Sequence, residues 1–371
     1  MSPSPLQQLS QIGQSVWVDF LSRNALHDGT IERFMREDAV VGLTSNPTIF
    51  EQAIADGNAY DGQLREVLEH ETDGKEVFLA LAAQDVRDAC DLLRDTWEQT
   101  DHLDGQVSLE VDPRLAYDHG ATAAEAKRLH ELVDRQNLYV KIPATNAGLI
   151  AIEDTIAAGI AVNVTLIFSL TRHREVIGAY LAGLERLIKA GGKPADVPSV
   201  ASFFVSRVDT ETDRRLDALG GHDHLRSRLG IANAKLAYQQ YRAAFSGARW
   251  DTLYAQGARP QRCLWASTSV KDPRSPDTMY VEQLAGAETV NTMPPDTLAA
   301  VQGHGTITGQ TIDRDLEGAH QLFAALDAAG VDYDDVTATL EDEGVKKFAD
   351  SFDQLFQNIK AKRDQLATPS R

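Results

Sequence analysis

Short apolar segments alternate with longer segments of helical period along most of the chain. The apolar segments are rich in β-branched and aromatic residues, which is typical of buried strands. Eight strands are predicted: VWVDF (16–20), VVGLTSN (40–46), VSLEV (107–111), LYVKIP (138–143), AVNVTLIF (161–168), SVASFFVSR (199–207), RCLWAST (262–268) and AETVNTM (287–293). Helices are predicted at 30–36, 59–70, 75–99, 120–136, 147–158, 171–190, 209–246, 276–285 and 312–328, and a long amphipathic helix at about 336–362.

This alternation predicts an α/β protein with a parallel sheet. Strands that are apolar on both faces need helices on both sides, and eight strand–helix units close into a barrel. An open doubly wound sheet is the alternative, but it normally carries a glycine-rich phosphate turn after its first strand, and the sequence there reads LSRNALHDG. We therefore expect a single (β/α)8 TIM-barrel domain over 1–371, with helical insertions at about 51–106 and 208–261 and the C-terminal helix packed outside.

Composition and charge limit the partners that the protein can have. The 371 residues are 43% hydrophobic and 25% charged, as in an ordinary globular protein. The formal net charge of −19 repels nucleic acid and anionic membranes, so neither is an expected partner, and any phosphate must bind in a local positive pocket. Cys90 and Cys263 are isolated, and we found no signal peptide and no apolar run of about 18 residues. These features favour a cytoplasmic protein.

Polar side chains interrupt the predicted strands near their carboxyl ends. Such residues cost several kcal/mol in a buried strand unless they are paired or face an open mouth. Because catalytic groups of this type of barrel lie at the carboxyl ends of several strands, the pattern predicts an active site there. The residues concerned are Asp19, Asn46, Glu110, Lys141, Asn163, Thr165, Ser202 and Arg207. Residues two apart share a face of a strand, which groups Asn163 with Thr165, Ser202 with Phe204, Trp17 with Asp19, and Tyr139 with Lys141.

Lys141 has two possible roles. It lies between Val140 and Ile142, so its amine either extends to the rim and pairs with a carboxylate, or acts as the nucleophile of a Schiff base. An apolar barrel interior favours the neutral amine that attack on a carbonyl requires. Forming an imine requires an acid at the departing hydroxyl, and breaking the adjacent carbon–carbon bond requires a base at the hydroxyl of the fourth carbon. Glu110 and Asp19 are the candidates, and a salt bridge is the alternative role for each.

Five segments resemble the transaldolase family, in the family's order: LTSNPTIF (43–50), VSLEV (107–111), LYVKIPAT (138–145), NVTLIFS (163–169) and FFVSR (203–207). The resemblance covers about 12 to 358 and is to the longer bacterial branch of these class I Schiff-base enzymes. It implies a (β/α)8 barrel that needs neither a metal nor an organic cofactor. It also implies sugar phosphates as substrates. A dihydroxyacetone unit would pass from sedoheptulose 7-phosphate to glyceraldehyde 3-phosphate, giving erythrose 4-phosphate and fructose 6-phosphate in the pentose phosphate pathway.

The resemblance also implies roles for individual residues. Lys141 would form the Schiff base, Glu110 and Thr165 would hold a catalytic water, and Asp19 would be the acid or base at the fourth carbon. The hydroxyls of the three-carbon unit would be bound by Asn46, Asn163 and Ser202, and the phosphate by Arg207.

The second phosphate contact departs from the family pattern. Many members have an arginine at or just before the last strand, where GAETVNTM offers Thr289 and no basic residue. Lys271 and Arg274, in the loop STSVKDPR, are possible substitutes, because loops at this mouth often bind phosphate. A solvated surface charge is the alternative for both.

Two rival functions remain at this point. One is an aldolase that releases free dihydroxyacetone from the same imine, and the other is a non-catalytic sensor of sugar phosphates. The related fructose 6-phosphate aldolases have Tyr at the position of Phe204 and Gln at that of Glu110, so the sequence favours transfer. Metal binding by His222 and His224 is not favoured, because residues two apart do not share a helix face.

Overall fold

The strands form one closed parallel barrel in the order of the chain. The computed structural model describes residues 3–55 and 57–367. The strands are β1 (Gln14–Asp19), β2 (Val40–Thr44), β3 (Val107–Glu110), β4 (Leu138–Pro143), β5 (Val162–Ile167), β6 (Ser199–Phe204), β7 (Arg262–Ala266) and β8 (Thr289–Met293). β8 closes on β1, with Val16 opposite Asn291. All eight predicted strands and the barrel are confirmed, and the open sheet is wrong.

Helices cover the barrel. They are α1 (Pro5–Ile12), α2 (Arg23–His27), α3 (Thr30–Glu37), α4 (Pro47–Ala55), α5 (Asp61–Leu68), α6 (Gly74–Leu92), α7 (Arg94–Gln99), α8 (His119–Val133), α9 (Asn146–Ala157), α10 (Leu170–Lys189), α11 (Ser206–Leu219), α12 (Leu229–Ala244), α13 (Ala248–Tyr254), α14 (Met279–Gln283), α15 (Pro295–His304), α16 (Leu316–Ala328) and α17 (Tyr333–Ala367). Short 3₁₀ turns lie at Pro113–Leu115, Pro194–Asp196 and Asp223–Leu225.

The single helix predicted over 209–246 is wrong. Gly220 and Gly221 both have positive φ, 74° and 78°, and they end α11 before α12 begins. The helix predicted over 75–99 likewise divides into α6 and α7. α1 was not predicted, although its amino end carries a capping box in which Ser4 and Gln7 bond each other's backbone N–H.

A layer of aromatic and ion-paired side chains fills the interior toward the amino ends of the strands. The rings of Trp17 and Tyr139 lie 6.1 Å apart inside the barrel. Trp17 Nε1 donates to Asp104 Oδ1 at 3.2 Å, and Asp104 pairs with Arg262 at 3.1 Å. Trp17 also packs on Gly42, where any Cβ would meet the indole at 2.5 Å. This layer supports the polar residues at the carboxyl ends.

Candidate active site

A cavity of about 120 Å³ lies at the carboxyl ends of the strands. The predicted site residues that line it are Asp19, Asn46, Lys141, Thr165, Ser202, Phe204, Arg207 and Lys271. Glu110 and Asn163 do not line it, but each contacts a residue that does. The structure therefore brings together predicted residues from seven of the eight strands or the segments that follow them.

Lys141 and Glu110 form a buried pair. The register of β3 and β4 sets them opposite each other, and Lys141 Nζ lies 3.6 Å from Glu110 Oε2. The amine donates to the backbone oxygen of Ser45 at 3.1 Å. Burial raises the pKa of Glu110 to about 7, although the charge of Lys141 opposes the shift. Near neutral pH this carboxyl group therefore exists in both its protonated and its ionised form.

Thr165 lies on β5, next to β4, and lines the cavity together with Lys141. Within the described residues, Thr165 Oγ1 and both carboxyl oxygens of Glu110 have no hydrogen-bond partner. Buried polar atoms in proteins almost always have a partner, from the protein or from solvent or ligand. These atoms are therefore positioned to bind a water molecule or a substrate oxygen beside Lys141.

Asp19 lines the cavity at the end of β1. Burial raises its pKa, and the charge of Lys141, a hydrogen bond from Thr44 and the charge of Arg207 oppose that shift. Thr44 Oγ1 donates to Asp19 Oδ1 at 2.6 Å, and Thr44 Oγ1 lies 2.7 Å from Thr292 Oγ1. Thr44 and Thr292 also line the cavity, and sequence reasoning missed both, because threonine is an ordinary strand residue.

Fixed hydrogen bonds orient the predicted hydroxyl-binding side chains. Ser202 Oγ donates to Asn163 Oδ1 at 2.7 Å, and Asn163 Nδ2 donates to Ser108 Oγ at 3.0 Å. Asn46 Oδ1 accepts from the backbone N–H of Ile49 at 3.1 Å, at the amino end of α4. The carbonyl oxygen of Asn46 is thus held by the helix, and its NH2 group is the part suited to donate to a ligand.

Two cations, Arg207 and Lys271, line the cavity, and a third, Lys347, lies near them. Arg207 lies at the start of α11, Lys271 follows β7, and Lys347 lies on α17. The charge of Arg207, burial and the charge of Lys271 lower the pKa of Lys347, so the three charges are close. In the described part of the chain none of the three forms an ion pair with a carboxylate. They make the local positive pocket that a phosphate needs in a chain of net charge −19.

Phe348 closes one side of the cavity. Its ring centre lies 5.9 Å from Lys141 Nζ and 5.8 Å from Arg207 Cζ. α17 packs mainly on α4 and also on α11, α5 and α6. Sequence reasoning placed this helix outside the barrel and missed the contribution of Lys347 and Phe348. The only signal was the pair of basic residues before Phe348 in an amphipathic helix, which is common on protein surfaces.

Arg274 and Thr289, the residue at the family's arginine position, both lie away from the cavity. Arg274 forms an ion pair with Asp272 at 2.7 Å and does not line it. Thr289 lies at the amino end of β8, where its hydroxyl donates to the Gly286 oxygen at 2.6 Å and accepts from Gln14 Nε2 at 2.8 Å. Thr289 therefore lies at the end of the barrel opposite the mouth. Of the two substitutes, Lys271 is the one that lines the cavity.

The described residues hold neither a metal-binding cluster nor a membrane-spanning helix. Across 3–55 and 57–367, no group of three or more His, Cys, Asp and Glu side chains is arranged to hold a metal ion. Over the same ranges, every helix is too short or too polar to span a bilayer.

Comparison with known proteins gives one consistent family. The model of the transaldolase/fructose-6-phosphate aldolase family matches residues 16–359. The transaldolase of Frankia alni is 52% identical over 358 residues, which cover 96% of each protein. The transaldolase of Thermobifida fusca is 52% identical over 358 residues, 96% of this chain and 97% of the relative. The transaldolase of Mycobacterium leprae is 49% identical over 365 residues, which cover 98% of this chain and 97% of the relative. The chain therefore belongs to the transaldolase/fructose-6-phosphate aldolase family.

Proposed function

We propose that this enzyme transfers a dihydroxyacetone unit from sedoheptulose 7-phosphate to glyceraldehyde 3-phosphate, giving erythrose 4-phosphate and fructose 6-phosphate. One observation carries the proposal. A buried amine, Lys141, lies 3.6 Å from a carboxyl group of raised pKa in a cavity whose mouth carries three cations without carboxylate partners among the described residues. An imine-forming site with a phosphate pocket is the chemistry that this arrangement supports.

The first step forms the imine. Lys141 Nζ attacks the carbonyl carbon of the donor, and the new hydroxyl leaves as water after it receives a proton. Glu110 supplies that proton through a water held between its carboxyl group and Thr165, whose buried oxygens have no partner among the described residues. A carboxyl group with a pKa of about 7 suits this step, because it can give and take a proton near neutral pH.

The second step breaks the bond between the third and fourth carbons. Asp19 takes the proton of the fourth-carbon hydroxyl, the bonding pair moves toward the iminium to form an enamine, and the departing fragment becomes an aldehyde. The raised pKa of the Asp19 carboxyl group strengthens it as a base for a sugar hydroxyl. The same group returns its proton when the acceptor aldehyde adds to the enamine.

The enamine must survive until an acceptor arrives. Phe204 shares an inner strand face with Ser202, and both line the cavity. Its ring packs 5.1 Å from that of Phe168 and 5.0 Å from Arg207 Cζ, and it carries no acidic proton. This environment favours transfer over protonation of the three-carbon fragment. Ser202, Asn163 and Asn46 hold the hydroxyls of that fragment, as their fixed orientations suggest.

The phosphate binds to the cations at the mouth. Arg207 is the central contact, since it is the most buried of the three and its planar guanidinium can donate two hydrogen bonds to one phosphate. Lys271 and Lys347 add charge from the β7 loop and from α17. Donor and acceptor both carry a terminal phosphate, so one pocket serves both substrates in turn.

We propose a cytoplasmic location and sugar phosphates as the substrate class. Cys90 and Cys263 are free and buried, as expected in a reducing compartment. The net charge of −19 opposes binding to nucleic acids and anionic membranes.

Product analysis tests transfer against its nearest rival. With donor alone, a transaldolase retains the three-carbon unit, and added glyceraldehyde 3-phosphate produces fructose 6-phosphate in step with loss of donor. Continuous release of dihydroxyacetone without an acceptor would make the protein an aldolase. Binding of sugar phosphates with no product under either condition would make it a sensor.

A further inference from the structure

Thr292 is connected to Asp19 through one intervening hydroxyl. The three side chains come from β8, β2 and β1, adjacent strands of the closed barrel, and all three line the cavity. Thr292 Oγ1 lies 2.7 Å from Thr44 Oγ1, which lies 2.6 Å from Asp19 Oδ1. Both threonines are buried, with 4% and 2% of their surface exposed.

Counting protons shows which group donates in each of these two hydrogen bonds. A threonine hydroxyl has one proton to donate and can accept from others. While Asp19 is ionised, the proton of Thr44 goes to its carboxylate, so Thr292 must donate to Thr44. When Asp19 is protonated, every bond can reverse: Asp19 donates to Thr44, Thr44 to Thr292, and Thr292 toward the cavity. A valine in place of either threonine would break the chain in both states, because it can neither donate nor accept a hydrogen bond.

We propose that Thr292 is a positioning residue for Asp19, and that Asp19, Thr44 and Thr292 form a hydroxyl chain whose direction follows the protonation of Asp19. This rests on the proposed function, in which Asp19 accepts the fourth-carbon proton during cleavage and returns it during addition. No proton passes along the chain, because each hydroxyl keeps its own proton and only rotates to reverse the direction of its hydrogen bond. The chain keeps a buried carboxyl group hydrogen-bonded before and after cleavage, which avoids the cost of an unpaired polar group.

Other charges also face Asp19 and must be considered in any pH test. Lys141 on β4 and Arg207 at the start of α11 lower its pKa, and Glu110 on β3 interacts with it. None of these groups changes in a variant of Thr292. A shift in the titration of Asp19 after such a substitution therefore reports the hydroxyl chain.

The test compares Thr292→Val with Thr292→Ser. Valine keeps the shape of threonine but removes the donor, so the carboxylate of Asp19 loses support and its pKa rises. We expect the acid limb of the kcat profile to move up by about half a pH unit, with kcat several-fold lower on that limb and KM within about twofold of wild type. Thr292→Ser should retain the wild-type profile. Thr292→Ala is a second variant without the hydroxyl, to be used if the valine variant does not fold.

Thr289→Val is the matched control. It removes a buried hydroxyl from the same strand, but one that bonds to Gly286 and Gln14 at the other end. Its pH profile should equal that of wild type. A wild-type profile in both Thr292→Val and Thr292→Ala, or a shifted one in Thr292→Ser, would overturn the hydroxyl chain while transfer by wild type stands. Absence of transfer by wild type would instead overturn the proposed function.

Discussion

Lys141 Nζ lies 3.6 Å from Glu110 Oε2 because the parallel register of β3 and β4 sets the two residues directly opposite each other. Only 5% of Lys141 and 6% of Glu110 is exposed. A pair removed from water pays a desolvation cost that a salt bridge does not always recover. Since the Glu110 pKa is raised to about 7, the pair is suited to proton exchange more than to stabilising the fold.

Replacing Glu110 with Gln should slow imine formation and remove one ionisation from the pH dependence of its rate. In wild type, rapid-mixing measurements with donor should show a step with a midpoint near pH 7, the pKa of Glu110, and Glu110→Gln should lack it. A rate reduction of about a hundredfold is expected for loss of a general acid. An unchanged profile in the variant would assign the titration to another group.

The same substitution should change how stability depends on pH. The folded-state pKa of Glu110 lies above its ordinary value of 4.5, so ionisation is costlier in the folded chain than in the unfolded one. The unfolding free energy of wild type relative to Glu110→Gln should therefore fall as pH rises from 4.5 to about 7, and level off above that. Urea denaturation of both proteins at about pH 5 and about pH 8 measures this. An unfolding free energy of wild type that rises with pH relative to that of Glu110→Gln would contradict the assignment.

Arg207→Ala should raise KM for phosphorylated donor and acceptor by about ten- to a hundredfold, as expected for loss of a charge-assisted hydrogen bond. KM should change little for ketose donors that lack a phosphate group. Steady-state kinetics with paired phosphorylated and unphosphorylated substrates separate the two. Equal losses with both kinds of substrate would show that Arg207 supports the cavity and not the phosphate.

Lys347 and Lys346 offer a matched pair on α17. Lys347 interacts with Arg207 and Lys271, whereas Lys346 forms an exposed ion pair with Asp350 at 2.7 Å. Lys347→Ala should raise KM for phosphorylated substrates by about threefold at low salt, and Lys346→Ala should leave it unchanged. Equal increases in KM for the two variants would show that only the net charge of the protein matters, and not the position of Lys347.

Phe204→Tyr should convert part of the transfer into release of dihydroxyacetone. A phenol on the inner face that Phe204 shares with Ser202 supplies a proton donor to the enamine. Donor consumption without an acceptor should rise at least about tenfold, while Phe204→Leu, which adds no proton, should not show this gain. Chromatography of the three-carbon product gives both rates.

The barrel was predictable from the sequence because its strands carry strong local signals. Buried runs such as LYVKIP and VNVTLIF have the length and β-branched content of parallel strands, and each holds a polar residue that burial alone does not explain. Element ends were less predictable. α15 (Pro295–His304) was not predicted at all, and the division between α11 and α12 depends on two glycines with positive φ.

The site was predictable only where a strand supplied it. Lys141, Glu110 and Asp19 stood out as charges within buried strands. Lys347 and Phe348 could not be placed, because an amphipathic pattern shows that a helix packs but not what it packs against. Thr292 differs from Thr289 only by which end of β8 it occupies, and that requires the barrel to be assembled.

The central claim is that Lys141 forms an imine with the donor sugar. Incubation with sedoheptulose 7-phosphate and borohydride, followed by peptide mass spectrometry, tests it most directly. We predict a reduced three-carbon adduct on Lys141 and none in Lys141→Met at matched folding. An adduct on another lysine, or full transfer activity with no adduct on Lys141, would contradict the account.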